Sequence, residues 1–323
     1  MVEDCLTFPP ARTADLPRVT VLLASCGGMP YLPDQVASIA AQRGVDLRLI
    51  AGDDGSRDGT RAYLDQLRGR CAPGRVQVLS GPRQGYAANF VSLVRHAPDD
   101  AGLVAFSDQD DVWQPDRLLR AATSMSSIAH RPAIHVAARR ITDASLNPRG
   151  LWQLPVERLE FRNALVESIL PGNATVMNSR AFALLKEAFT NHPSVSSHDW
   201  AMYQILAGAE AALVRDADAL VFYRQHDRNT LGAGKTLKWA HARLARVTNG
   251  TYGRALRDSR AFLKSNRYLL SERNQRLLDQ SEGLSAFGPG HRLAAMRQVR
   301  PYRLRGIDQL ALWIEVMIGA IPL

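Results

Sequence analysis

"GLVAFSDQDDVW" (Gly102–Trp113) is an apolar run that ends in three carboxylates, Asp108, Asp110 and Asp111, within four positions. The run reads as a strand buried on both faces, which is the habit of parallel sheets covered by helices on either side. In such sheets ligands bind beyond the carboxyl ends of the strands, and the three acids stand at one of those ends. Like charges this close repel, so the cluster needs a positive partner. A divalent cation carrying a phosphorylated substrate is the first candidate, because carboxylate, water and phosphate oxygens suit Mg²⁺ or Mn²⁺. Asp108 and Asp110 are two positions apart and reach one centre if the turn is irregular. The same acids also suit the start of a helix predicted from Pro115, since negative charge is favoured at a helix N-terminus.

Upstream, the same alternation repeats. "RVTVLLAS" (18–25) reads as a buried strand, with a "CGGMPYL" loop and a helix over 32–42 behind it. "DLRLIAGDD" (46–54) is a second strand that runs into "GDDGSRDGT", all turn and cap residues. A helix carrying Tyr63, Leu64 and Leu67 on one side follows, then the strand "RVQVLS" (75–80) and the helix "YAANFVSLVRHA" after Gly85. Strands alternating with helices indicate an α/β, mostly parallel sheet. Both acidic loops then fall on one rim. A carboxylate in "GDDGS" can accept a nucleobase N–H, although a well-capped turn explains the stretch as readily. Downstream, "AIHVAARRITD", "ATVMNS" and "ADALVFYRQH" read as strands, "RAFALLKEAF" and "SSHDWAMYQILAG" as helices, and the chain beyond Gly234 as helical throughout.

Other classes are excluded by what the motifs lack. No GxGxxG follows the first strand and no GxxxxGK[ST] occurs, so neither a dinucleotide fingerprint nor a P-loop is present. Cys5, Cys26 and Cys71 are far apart, without metal-ligand spacing or a disulfide framework, which fits a reducing, cytoplasmic setting. The first 17 residues have early acids and two prolines and no apolar core, so they read as a loose leader rather than a signal peptide. The chain carries a formal net charge of +9, unevenly placed. Residues 235–306 hold 16 Lys/Arg against 4 Asp/Glu, a net +12. Such a segment favours an acidic surface, or is a solvated helical face. The tail "GIDQLALWIEVMIGAIPL", with Asp308 and Glu315, is too short and too charged for a membrane span. It reads as an interfacial docking helix or as a final helix packed on the core.

Taken together, "VTVLLASCGGMPYLPDQVASIAAQ", "DLRLIAGDDGSRDGT", "GYAANFVSLV" and "FSDQDDVWQPDRL" resemble, in order and spacing, the family-two glycosyltransferases of GT-A fold. "PGNATVMNSRAF", "HDWAMYQIL" and "YRQHDRNTLG" look like the acceptor-side motifs of the rhamnosyltransferase-like branch. The resemblance implies a Rossmann-like GT-A domain over 18–234, after a leader (1–17) and before a basic helical extension (235–323). It implies an inverting, metal-dependent transfer of one sugar from a dTDP- or UDP-linked donor, with rhamnose as the suggested sugar. The acceptor would be a glycan or a lipid-linked molecule in cell-surface polysaccharide synthesis. Residue by residue, it implies that Asp53 and Asp54 contact the base and that Ser25 and Tyr31 flank base and ribose. Asp108 and Asp110 occupy the DxD positions for ribose and metal, and His226 lies near the diphosphate as a metal or phosphate contact. Asp199 takes the place of the catalytic base, although "SSHDW" also suits a helix cap at Ser197. Gly172 and Trp200 are expected at the acceptor. The chain lacks QxxRW and the long membrane spans of polymerising synthases, so single-sugar transfer is the better reading. A metal-dependent nucleotidyltransferase and a non-enzymatic polyanion- or membrane-binding protein remain the alternatives. The implied partners are the donor, the acceptor and an anionic membrane surface at the inner face of the cytoplasmic membrane, not nucleic acid.

Overall fold

The first strand shows why the sheet has no polar face. Val19, Val21 and Leu23 of β1 (Arg18–Ser25) enter one core, and Leu22 and Ala24 enter another on the opposite side. Successive strand residues point to opposite faces, so an uninterrupted apolar run is what a doubly covered strand requires. The structure is a computed structural model that describes residues 16–227, 251–285 and 288–319. Most of the expected leader, residues 228–250 between the sheet and the first helix of the extension, and the last four residues lie outside the described residues.

β2 (Asp46–Asp53), β3 (Val76–Ser80) and β4 (Leu103–Ser107) pair in parallel with β1 in the order β3-β2-β1-β4. The connections are α1 (Leu32–Ala40), α2 (Thr60–Arg70) and α3 (Tyr86–His96). α1 and α2 cover one face, and α3 covers the other with Phe90, Val91, Leu93 and Val94. Gly102, just before β4, has φ +71, and a Cβ there would stand 2.3 Å from the carbonyl oxygen of Arg18. Only glycine lets the chain enter β4 this close to β1.

Past β4 the sheet becomes mixed. β5 (Val112–Trp113) and α4 (Arg117–Met125) follow the acidic loop, and β6 (Ala133–Thr142) leads into β7 (Pro148–Trp152). α5 (Phe161–Ala164), β8 (Thr175–Met177), α6 (Ser179–Asn191), α7 (His198–Gly208) and β9 (Ala212–Arg224) complete this half. β8 lies antiparallel between β4 and β6, β9 runs parallel to β6, and β5 closes the far edge against β9. This alternation has one consequence for the site. The carboxyl ends of β1, β2, β4, β6 and β9 and the entry to β8 all fall on one rim. The parallel half matches the expected α/β reading, while β5 and β7 are strands that local periodicity did not reveal. β5 has only two residues, and β7 is an exposed strand paired on one side with β6.

The described part of the extension is helical: α8 (Thr251–Ser265), α9 (Glu272–Ser281), α10 (Pro289–Val299) and α11 (Gly306–Met317). It has no core of its own. Leu256, Phe262, Leu277, Met296 and Leu312 join the core built by α3, α6 and α7. No helix among the described residues is long and apolar enough to cross a membrane.

Candidate functional site

The loop after β2 is occupied with holding its neighbours. Asp54 accepts from the backbone N–H groups of Arg83 (2.6 Å) and Gly85 (2.8 Å), which fixes the turn before α3. Asp53 accepts from the backbone N–H of Ser56 (3.2 Å) and from its hydroxyl. Ser56, Thr60 and Asp58 then accept in turn from the backbone N–H groups of Gly27 (2.8 Å), Gly28 (2.9 Å) and Met29 (3.0 Å). The remaining amide of that stretch, Cys26 N–H, donates to Gln109 Oε1 (2.8 Å), and Gln109 Nε2 donates back to the Cys26 carbonyl (3.2 Å). Four consecutive amides after β1 are thus satisfied by side chains from two other loops. Burial and the nearby charges of Asp54, Asp53 and Asp58 push the Cys26 thiol pKa up, so it is a poor nucleophile. Ser25 is buried and donates to the Gly52 carbonyl (3.3 Å). Tyr31 stands at the start of α1, between the Arg224 guanidinium (4.7 Å) and the stacked ring of His226 (4.5 Å).

The loop after β4 divides its acids between two tasks. Asp111 is fully buried and structural: it accepts from Asn173 Nδ2 (2.6 Å) and from the backbone N–H of Arg224 (3.4 Å). Burial, then the charges of Asp110 and Asp108, hold its carboxyl well above the usual range. Asp110 faces His226, whose Nε2 lies 2.9 Å from Oδ2. Asp108 is partly exposed at the rim but flanked by other acids. Burial and the charges of Asp110 and Asp199 push its carboxyl up to about 7.

The positive partner demanded by the sequence is partly internal. Arg224 donates from Nε to the Asp110 carbonyl (3.0 Å) and pairs with Asp34 (2.9 Å), pinning the end of β9 to the acidic loop and to α1. Arg117 is fully buried, lies over the Trp113 ring (3.7 Å) and donates to the Asn173 carbonyl (2.7 Å). Burial pulls its pKa down to about 9 against the opposing charge of Asp111. Arg139 lies between Trp152 (4.3 Å) and Tyr223 (4.7 Å) and donates to Asn173 Oδ1 (3.2 Å). Burial lowers its pKa, opposed by the charges of Tyr223, Asp111, Asp199 and Asp108. Asn173 therefore joins two arginines to Asp111. Arg139 and Arg224 lie far from the acids in sequence, and Arg117, though only six positions past Asp111, reaches them through Asn173, so the fold makes the network. The pair Arg139 and Arg140, two charges near the end of a mostly apolar strand, was a visible hint.

Asp199 opens α7 from the same rim. The helix cap is Ser197, which accepts from Trp200 N–H (3.4 Å), so Asp199 is not needed as the cap. Its Oδ1 lies 2.7 Å from His198 Nε2, although the ring N–H is not aimed at it and the oxygen lacks a well-directed hydrogen bond. His198 is itself held in an aromatic box, stacked on Phe90 (4.0 Å) and edge-on to Phe106 (5.4 Å) and Tyr86 (5.7 Å). Gly172 presses against the pair: a Cβ there would stand 2.3 Å from Asp199 Oδ1. Asp108, Asp110, His226, Tyr31, Asp199 and Gly172 thus meet at one rim. Trp200 does not. Its indole is buried in the core, donates to the Ala164 carbonyl (2.7 Å) and stacks on Tyr252 (6.5 Å), a packing that does not fit the expected acceptor contact. An open groove of about 680 Å³ lined by Asp99, Gly102, Phe182, Lys186 and Tyr268 lies at the opposite ends of the strands and carries none of these residues.

Known proteins share this architecture. The chain is 24% identical over 237 residues to the dTDP-rhamnosyl transferase RfbG of Shigella flexneri, covering 71% of this chain and 80% of that one. It is 34% identical over 93 residues, 28% of each chain, to the succinoglycan biosynthesis protein ExoW of Rhizobium meliloti. Its fold superposes on residues 1–349 of TarS from S. aureus, solved with UDP-GlcNAc, at TM-score 0.57 and 16% identity over 94% of this chain and 82% of that one. It also superposes on the mannosyltransferase PcManGT of Pyrobaculum calidifontis, solved with GDP-Man and Mn²⁺, at TM-score 0.51 and 16% identity over 95% and 86% of the two chains. The family model "Glycosyl transferase family 2" matches residues 20–191, more than half of the chain, from within β1 to the end of α6. The chain belongs to that family and is a glycosyltransferase acting on a nucleotide sugar.

Proposed function

We propose that this glycosyltransferase moves one sugar, rhamnose first among the candidates, from a dTDP- or UDP-linked donor to a hydroxyl of a glycan or lipid-linked acceptor, with inversion at the anomeric carbon. The observation that carries the reading is the meeting of Asp108, Asp110, His226 and Asp199 at one rim in a family-two chain. The name of RfbG supports the donor, and that of the succinoglycan biosynthesis protein ExoW supports the acceptor class.

Asp199 takes the proton of the acceptor hydroxyl. The hydroxyl oxygen bonds to the anomeric carbon as the bond from that carbon to the diphosphate oxygen breaks, and the nucleoside diphosphate leaves with the electron pair. His198 and Gly172 limit where its carboxylate can sit. Asp53 and Asp54 contact the base of the donor, and Ser25 and Tyr31 flank the base and ribose in this reading.

The donor set fits a divalent cation. Asp108 and Asp110 would supply oxygens and His226 a nitrogen next to Asp110; burial, then the charges of Asp110 and Asp199, raise the Asp108 carboxyl, and a cation would offset that cost. Among the described residues no group of three or more His, Cys, Asp or Glu side chains is placed to hold a metal ion by itself. Mg²⁺ or Mn²⁺ would therefore be held here together with the donor diphosphate. When bound, such an ion neutralises the departing diphosphate.

The test is a screen of dTDP-, UDP- and GDP-sugars with Mn²⁺, with Mg²⁺ and with excess chelator. Donor turnover that releases nucleoside diphosphate and stops in chelator is expected. Release of pyrophosphate would move the protein to the nucleotidyltransferases, and full turnover in chelator would remove the metal.

A further inference from the structure

The last helix carries apolar surface where a soluble protein has polar residues. Among the described residues, five of the nine large exposed apolar side chains lie between Leu304 and Ile318. Four of them form one stripe along α11 and just past its end: Ile307 (77% exposed), Leu310 (61%), Ile314 (52%) and Ile318 (69%). Their spacing of three, four and four residues puts them on a single face. The opposite face is fully committed. Leu312 and Val316 are buried in the main core, and Glu315 pairs with the buried Arg303 at 2.9 Å, which also donates to the Tyr252 hydroxyl of α8 (2.7 Å). α11 is therefore clamped with its stripe outward. Both acids of the helix, Asp308 and Glu315, are on the buried side, so the outward face carries no negative charge.

Positive charge stands beside it. The described stretch before it, residues 251–306, holds 12 Lys/Arg against 4 Asp/Glu. Exposed Arg297 and Arg300 precede the helix, exposed Arg305 stands at its start, and Arg292 reaches its last turn at the Met317 carbonyl (3.0 Å). An apolar face bordered by cations matches a layer with an apolar interior and anionic headgroups. The 12 residues of α11 span about 18 Å, short of a hydrocarbon core of about 30 Å, so the helix fits in the plane of the surface and does not cross it. A second copy of the chain is the less suitable occupant, because it brings the same positive charge to the same place.

We propose that α11 is an in-plane membrane anchor: the stripe Ile307, Leu310, Ile314, Ile318 inserts at the headgroup boundary of an anionic lipid surface, drawn there by the basic segment before it. Binding is read without sugar transfer, so this holds or fails independently of the proposed activity. The full chain is sedimented with vesicles of phosphatidylcholine alone and of phosphatidylcholine mixed with phosphatidylglycerol. Binding to the mixed vesicles, weakening as salt rises, is expected, because exposed charges are screened beyond roughly 8 Å at physiological salt. The double variant Ile307→Asn, Ile314→Asn, with an unchanged melting temperature, binds roughly tenfold or more weakly. If the double variant melts early, Ile307→Asn alone is read at the most exposed position, with a loss of roughly threefold. Equal binding by variant and wild type, or equal binding to both vesicle types, overturns the proposal. So does a lipid-free dimer that the variant converts to monomer while vesicles capture neither form, which would assign the stripe to a second copy.

Discussion

The loops after β2 and β4 are both acidic and lie on the same rim, yet they do different work. In the first, Asp54 and Asp53 are engaged by the backbone N–H groups of Arg83, Gly85 and Ser56, and Ser56, Asp58 and Thr60 hold the amides of 27–29. In the second, only Asp111 is engaged in this way; Asp110 faces His226, and Asp108 is lifted to about 7 by burial and then by the charges of Asp110 and Asp199. A carboxylate bonded to several N–H groups is stabilised as an anion and fixes structure. A carboxylate crowded by other carboxylates is strained electrostatically and gains from a cation. Acid content alone does not separate the two; the surrounding donors do.

The largest expected effect follows from the second loop. Asp110→Asn removes a charge beside Asp108 and the partner of His226. Sugar transfer should fall about a thousandfold, on the order of 4 kcal/mol of transition-state stabilisation. The melting temperature should hold or rise, because one of the crowded charges is gone. A variant that melts early and keeps its transfer rate would give the second loop the role assigned to the first.

Gly172→Ala is expected to be next. Its Cβ would stand 2.3 Å from Asp199 Oδ1, so the carboxylate must shift. A displacement near 1 Å costs about a hundredfold in rate, with donor and metal affinity unchanged in a calorimetric titration. An effect on donor affinity instead would place Gly172 on the nucleotide side.

Asp54→Asn sharpens the contrast from the other end. An amide has one acceptor oxygen, so either Arg83 N–H or Gly85 N–H faces an NH₂ group. The cost is about 1–3 kcal/mol, seen as a melting temperature several degrees lower. Transfer measured well below the melting temperature should stay within about tenfold of wild type. Loss of transfer at unchanged stability would mean that Asp54 serves the donor more than the turn.

The readable part of the molecule was the part built from local pattern. The mostly apolar runs 19–24 and 103–106 are strands because both faces are covered, and that condition leaves its mark along the run. Asp108, Asp110, Asp199 and His226 were named from motif positions, and the fold brings them together. What stayed hidden depends on pairing across the chain. Val112–Trp113 is a strand only because β9 lies beside it, and Pro148–Trp152 only because β6 does. Gln109 looks like filler between acids until its amide is seen joined to Cys26. Arg117 and Asn173 are 56 positions apart and form one network with Asp111. Trp200 shows the reverse: the resemblance suggested the acceptor for it, but on a helix adjacent residues face different ways, and its indole faces the core.

The claim that Asp199 removes the acceptor proton is tested most directly by Asp199→Asn, read for transfer and for the melting shift given by the nucleoside diphosphate with Mn²⁺. Ser197 already caps α7, so the substitution should leave stability near wild type. The account predicts an undiminished melting shift, since donor and metal sites are intact, and transfer reduced by about 10²–10⁴-fold, the scale of general base catalysis. Transfer within a few-fold of wild type would contradict it and return Asp199 to a structural place at the start of its helix.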